Sequence, residues 1–448
     1  MTDRSSLARQ VTDAEGKLAL LTLLALLVGA ATGLIAACFR LALNHADVLR
    51  GLAIEWGHGR WTAGQPLLGF AAVVGGCTAC CAGAAWMVRQ YAPQASGSGI
   101  PHVEAVLHRQ SAPAPYALVP VKFIGGVMAI GAGLALGREG PSVQMGAGVA
   151  TFMGRVFRRG FPDSRALIAA GAGAGLATAF NAPLAGAIFV LEELVQRYEP
   201  RITIAALAAS FTAISVARLI LGDHSDFTVL PLHYPALATQ MLYLGLGLVC
   251  GLAGVVYNAT LLGGLSAGEA LRRVPVEVRA GLIGAGAGVL AWFYPWLVGG
   301  GDPITQSVLS GTAGPLTPVA AAFAARFILS AASYAALTPG GLFAPLLTLG
   351  AQLGLMFGLI CQMLLPGQTI QPVGFALVGM AALFTGIVRS PVTGLILVTE
   401  MTGSVTLLLP MVGACFTAML VPTLLGNAPI YDALRQRAAK AERDARRE

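Results

Sequence analysis

The chain has 448 residues, of which 56% are hydrophobic and only 11% charged, with a mean hydropathy of +0.73. Soluble domains carry about 25% charged residues, so the composition excludes a soluble globular protein and is that of a polytopic membrane protein. The net charge of +7 gathers at the termini and in short loops, which is a topology signal and not a nucleic-acid footprint.

Residues 1–17 are polar, contain Arg4, Arg9 and Lys17, and read as a cytoplasmic N-terminal segment. The apolar run from residue 18 to about 38 is too long for a signal-peptide core and lacks a convincing cleavage site. It predicts a first spanning helix that extends through Arg40 to near Val48. A second long run covers 66–88. Beyond it many apolar segments fall short of the ~20 residues that a simple span needs. Gly and Pro interrupt them at 97–101, 137–141, 181–183 and 339–341. Short broken helices belong to transporters and channels, where irregular backbone lines a cavity. The 57 glycines fit helices that pack closely in lipid.

Basic residues set the expected orientation. Arg155, Arg158, Arg159 and Arg165 share one short loop, and Arg272, Arg273 and Arg279 another. The tail carries Arg435, Arg437, Lys440, Arg443, Arg446 and Arg447. The positive-inside rule puts these and both termini in the cytoplasm. The stretch after Tyr431 reads as an amphipathic helix lying on the membrane surface, with no soluble domain after it. The seven cysteines, Cys77, Cys80 and Cys81 among them, all lie in apolar runs. They have no nearby His or second Cys pair, so small apolar filler is the reading and no metal site is expected.

Gly137-Arg138-Glu139-Gly140-Pro141 places an arginine and a glutamate inside long apolar sequence. Glycine allows close backbone approach, and proline is welcome in a first helical turn. A helix starting here presents free N–H groups and a positive dipole end, which is an anion site. Glu139 is itself an anion at that end, and a carboxylate that can occupy or vacate such a site suggests a gate. An ionisable residue deep in apolar sequence is a functional candidate by default.

The chain also repeats internally. Residues 171–192 align with 379–400 at a shift of 208, matching Pro183 to Pro391 and Glu192 to Glu400. Gly137 to Pro141 aligns with Gly341-Leu342-Phe343-Ala344-Pro345 at a shift of 204, and Gly97-Ser98-Gly99-Ile100-Pro101 with Gly299-Gly300-Gly301-Asp302-Pro303 at 202. This divides the chain into a first membrane repeat (18–200), a connecting helix and loop (201–235), a second repeat (236–425) and a C-terminal helix with a basic cytoplasmic tail (426–448). The halves differ at the titratable positions: Glu139 aligns with Phe343, and Glu193 with Met401.

With Gly97–Pro101, Gly137–Pro141, Gly341–Pro345 and Tyr431 in this order and spacing, the chain resembles the CLC family of chloride channels and chloride/proton antiporters, in the bacterial form without cytoplasmic CBS domains. The resemblance implies an all-α membrane fold of two inverted-topology repeats of tilted and broken helices. It implies that the hydroxyls of Ser98 and Tyr431 coordinate a central anion. The backbone amides of Leu342 and Phe343, and of Glu139 with its neighbours Gly137, Arg138 and Gly140, would surround that ion. Glu139 matches the external gating glutamate, and Glu193 the internal proton-transfer glutamate that family channels usually lack. The expected function is therefore exchange of chloride for protons, with a passive chloride channel as the alternative. Ser98 and Tyr431 fit the chloride pattern, since nitrate-preferring members carry proline at the serine and fluoride exporters depart from both. The resemblance further implies a homodimer with one pore per subunit, in the bacterial inner membrane, with chloride and protons as its partners and no cofactor.

The chemistry needs these residue types. A chloride ion in a membrane requires donors without a full fixed positive charge, or it would never leave. Proton transport requires carboxylates that can take a proton. No nucleophile elbow or nucleotide loop points to an enzyme. His102 departs from the acidic residue of related antiporters and reads as a pore-lining or pH-sensitive group. Glu104 and Lys122 are expected as a buried pair, Glu192 and Glu400 as structural groups shared by both halves, and Arg218, Arg326 and Arg389 as snorkelling or paired.

Overall fold

The computed structural model describes residues 2–62, 64–223 and 225–445. Eight helices make the first half: α1 (Thr2–Thr62), α2 (Pro66–Tyr91), α3 (Ile100–Leu107), α4 (Leu118–Gly131), α5 (Glu139–Val156), α6 (Phe161–Phe180), α7 (Pro183–Phe189) and α8 (Pro200–Leu221). A π-helical turn, Val190–Leu194, continues α7. Eight more make the second half: α9 (Leu237–Ala270), α10 (Val276–Phe293), α11 (Asp302–Leu309), α12 (Leu316–Ala335), α13 (Phe343–Leu364), α14 (Pro372–Val388), α15 (Pro391–Thr402) and α16 (Leu408–Leu424). A closing helix, α17 (Ile430–Ala445), follows. Among the described residues there is no strand, only two isolated bridges.

Proline and glycine set the boundaries. Pro66, Pro183, Pro200, Pro372 and Pro391 each open a helix, where a missing N–H costs nothing. No proline interrupts residues 2–62, so α1 runs from residue 2 through the rest of the polar segment and past Val48 instead of stopping at either. Among the described residues seven helices are long and apolar enough to cross a membrane. In α13, 72% of the most apolar window is buried, against 28–39% in the other six; α13 is an interior helix and the others present a face to the outside of the subunit.

The halves are two copies of one inverted-topology arrangement. α3, α5, α6 and α7 recur as α11, α13, α14 and α15 in the same order. The close packing recurs too. A Cβ on Gly146 of α5 would strike the carbonyl oxygen of Gly171 on α6, and a Cβ on Gly350 of α13 would strike that of Gly379 on α14. Backbones this close need glycine.

A buried cation recurs as well, in a role the sequence did not reveal. Lys122 does not pair with Glu104: its Nζ donates to the carbonyls of Ala95 (2.9 Å) and Gly97 (2.7 Å). Arg326, 204 residues on, donates to Leu297 (3.1 Å), Gly299 (2.6 Å) and Gly300 (3.0 Å). Each half thus gathers the carbonyls of its pre-helix loop onto one enclosed cation. Arg326 is 1% exposed and does not snorkel; Arg218 pairs with Asp223 at 3.0 Å, and Arg389 donates to the Asn427 carbonyl at 2.6 Å.

Glu192 and Glu400 cap each other's half. Glu192 accepts from the amides of Val392 (3.0 Å) and Thr393 (2.7 Å) at the start of α15. Glu400 accepts from Leu184 (3.1 Å) and Ala185 (2.8 Å) at the start of α7. Each carboxylate satisfies orphan donors and meets a positive helix end. Glu400→Ala is expected to destabilise the fold by about 1–2 kcal/mol, as loss of a helix cap does. Equilibrium unfolding in detergent checks this, and an unchanged midpoint would contradict the capping role.

Candidate functional site

The site is built where the starts of α5 and α13 meet. Gly137 and Gly341 pair as an antiparallel bridge, exchanging both backbone bonds at 2.8 and 2.7 Å. This pairing sets the two broken motifs nose to nose, with Glu139 and Phe343 each as the first residue of its helix. Glu139 is fully buried. Its Oε1 accepts from the Phe343 amide at 2.6 Å, and the amide of Ala344 also faces the carboxylate. The short distance is that of a charge-assisted bond. The carboxylate therefore sits on the helix start of the opposite half, in the place an anion would take. Side chains are excluded around it: a Cβ on either Gly137 or Gly341 would strike a Glu139 carboxylate oxygen.

Among the residues named from sequence, Gly137 has a different part from the one expected. Its amide is taken by the Gly341 carbonyl, and its missing Cβ leaves room for the Glu139 carboxylate. Leu342 is the buried residue just ahead of α13, and Gly140 packs against Ser98 so closely that a Cβ would overlap it at 2.7 Å. Arg138 does not serve Glu139 as an ion-pair partner. Its guanidinium lies 2.8 Å from Asp302 and 3.1 Å from Asp226, and donates to the Ala179 carbonyl at 2.8 Å. Arg40 shares Asp226 at 2.8 Å. This clasp ties the first motif to the linker and to the second half, and leaves Glu139 without a tether to its neighbour. A crevice lined by Asp47, Arg50, Arg138, Asp302 and Ala344 opens beside it.

Ser98 and Tyr431 are both fully buried. Ser98 Oγ accepts from the Ile100 amide at 3.3 Å, which occupies a lone pair and leaves the hydroxyl proton to donate elsewhere. The Ser98 amide donates to the Tyr334 hydroxyl at 3.4 Å. The Tyr431 hydroxyl has no hydrogen-bond partner among the described residues. A buried hydroxyl normally finds one, so an anion-coordinating role suits it. Tyr431 lies within electrostatic reach of Glu139, Glu193 and Tyr334. Its ring stands 6.0 Å from Phe343, which also meets Phe384 at 4.6 Å and Phe189 at 5.6 Å.

Glu193 is 6% exposed and lies in the π-helical turn after α7, a form frequent at functional sites. The turn sends adjacent glutamates to different tasks: Glu192 caps α15, while Glu193 Oε2 accepts from Ser390 Oγ. Phe189, four residues earlier, touches Phe343, so the same element that carries Glu193 abuts the residue whose amide holds Glu139. His102 Nδ1 stands 3.5 Å from Gln144 Nε2.

Tyr334, Ser390, Asp226 and Asp302 were not singled out by sequence. A signal existed only for Asp302, a charge aligned with apolar Ile100 in the other copy of the motif.

This architecture is that of a membrane transporter in which two broken-helix repeats meet at their helix starts. The family model described as "Voltage gated chloride channel" matches residues 80–423, and the chain belongs to that family. It is 36% identical over 426 residues to the H(+)/Cl(-) exchange transporter ClcA of Vibrio campbellii, covering 94% of this chain and 90% of the relative. It is 34% identical over 460 residues to the ClcA exchanger of Yersinia pestis bv. Antiqua, covering 99% and 93%. Among solved structures, a slow cyanobacterial Cl-/H+ antiporter superposes with a TM-score of 0.87 at 30% identity, covering 94% of this chain and 98% of that one.

The glycines beside Glu139 give a direct test. Gly341→Ala is expected to expel the carboxylate from the Phe343 amide, because the new methyl occupies its position. An experimental structure of the variant reads this, and a carboxylate still seated there would contradict the steric argument.

Proposed function

We propose that this protein is a secondary active antiporter that exchanges chloride for protons. The observation that carries this reading is the Glu139 carboxylate seated on the Phe343 amide, where one helix start of each half converges. An ionised Glu139 occupies the anion position and competes with chloride. A protonated Glu139 loses its charge-assisted bond and vacates the position. Chloride entry and proton release at Glu139 are then alternatives, and exchange follows from that competition. Ser98 and Tyr431 donate hydroxyl protons to the ion from the inner side, and the amides of Phe343 and its neighbours from the outer side. None of these donors carries a full charge, so binding stays shallow enough for release.

Glu193 is the internal proton-transfer group in this reading. It is buried, held by a single hydroxyl from Ser390, and separated from Glu139 by the aromatic contact of Phe189 with Phe343. That contact holds no titratable group, so water has to carry the proton along it. The ClcA exchangers and the cyanobacterial antiporter favour coupled exchange over a passive channel. We further infer a multi-pass protein of the bacterial inner membrane with cytoplasmic termini, assembled as a homodimer with one pore per subunit and transporting without a cofactor.

Liposomes loaded with chloride and diluted into low chloride test the function, with a pH electrode outside. The wild type is expected to take up protons against their gradient as chloride leaves. No uphill proton movement would sink the antiporter. Glu139→Gln is expected to keep chloride flux and lose proton uptake. Glu193→Gln is expected to lose proton uptake while chloride still moves, and retained uptake would retire Glu193 as the internal site.

A further inference from the structure

The two inner hydroxyls sit on different elements. Ser98 lies two residues ahead of α3, and Tyr431 is the second residue of α17. A single guanidinium joins these helices. Arg435 Nη1 is bonded to Glu104 Oε1 on α3, and its Nη2 lies 2.7 Å from Asp432 Oδ1 on its own helix. Glu104 is 1% exposed and Arg435 21%, so a buried acid is reached from the rim by a partly wetted base. Glu104 comes six residues after Ser98, and Arg435 one helical turn after Tyr431.

The other supports of Tyr431 lie on either side of it. Ahead of α17, Asn258 Nδ2 donates to Asn427 Oδ1 (3.0 Å) and the Ala428 carbonyl (3.3 Å), and Arg389 holds the Asn427 carbonyl at 2.6 Å. Further along, Arg437 binds Glu269 (2.9 Å) and Ser266 (3.0 Å) of α9. These contacts fasten α17 to the second half, whereas Arg435 alone links it through an ion pair to the helix of Ser98 among the described residues. Glu104 and Asp432 also lie within electrostatic reach of Glu193.

We propose that Arg435 is a positioning residue that latches the inner gate, holding the Tyr431 hydroxyl opposite Ser98 so that chloride cannot slip through without a proton. The inference rests on the reading of Ser98 and Tyr431 as the inner anion donors. Removing Arg435 alone would strand a buried carboxylate and threaten the fold. Replacing both partners by apolar groups of similar size removes the latch without that penalty.

The test compares wild type, Glu104→Met/Arg435→Met, Arg435→Lys and Tyr431→Leu in the same liposome assay, reading protons moved per chloride. The methionine pair is expected to keep chloride flux while its proton-to-chloride ratio falls about fivefold, the low end of a typical coupling between sites. Arg435→Lys, which keeps the ion pair, is expected to stay near the wild-type ratio. A wild-type ratio in the methionine pair would overturn the latch, as would Arg435→Lys falling as low as that pair. Tyr431→Leu separates the two layers of the argument. If it lowers the ratio while the methionine pair does not, only the latch fails; if it leaves the ratio unchanged, the donor reading beneath it fails.

Discussion

Everything at the centre of this molecule depends on one short antiparallel contact, the pairing of Gly137 with Gly341. An anion crossing a bilayer must exchange water for other donors, and unpaired amides at a helix start are donors without a full charge. One helix start offers only a few. Two brought together by glycines that lack a Cβ offer more, and they enclose the ion from opposite halves. The same contact places the first residue of each helix against the other, so a glutamate at one first position reaches the amide at the other first position. Glu139 and Phe343 are the two residues in that relation.

The support around this point is symmetric, while the chemistry is not. Lys122 and Arg326 gather equivalent carbonyls in the two halves, Gly146 and Gly350 allow equivalent helix contacts, and Glu192 and Glu400 form equivalent caps. Glu139, Glu193, Ser98 and Tyr431 have no counterpart of like chemistry. Symmetric elements carry the cost of breaking helices inside a membrane, where every exposed amide and carbonyl must find a partner. In the proposed exchange the asymmetric ones give the pathway its direction, with the Glu139 carboxylate at one end and the Ser98 and Tyr431 hydroxyls at the other.

The sequence disclosed the scaffold well, because its signals are local. Glycine and proline mark where helices break, and a spacing of 202–208 residues survives in the motifs. The residues named there, Ser98, Glu139, Phe343, Glu193 and Tyr431, are all buried, and Phe343 joins Glu139 and Tyr431. Most of the departures concern which partner a charged side chain finds across the fold. Glu104 pairs with Arg435 across 331 residues, not with nearby Lys122. Arg138 likewise binds distant acids, Asp226 and Asp302, 88 and 164 residues away. α17 runs through the stretch after Tyr431, and its first two residues, Ile430 and Tyr431, are enclosed. Neighbours in sequence do not foretell such choices, since a buried charge goes wherever the tertiary structure leaves opposite charge or carbonyl oxygens.

The exchanged caps bear on how such a chain could arise. Glu192 and Glu400 stand at the same place in the repeat, and each completes a helix of the other copy. A single ancestral half would carry one such glutamate and one unfilled helix start. Two identical halves meeting antiparallel would fill both at once, with no change of sequence. Duplication and fusion would then only have joined a partnership whose contacts already closed, and the later divergence of Glu139 from Phe343 would have been free to proceed on one side alone.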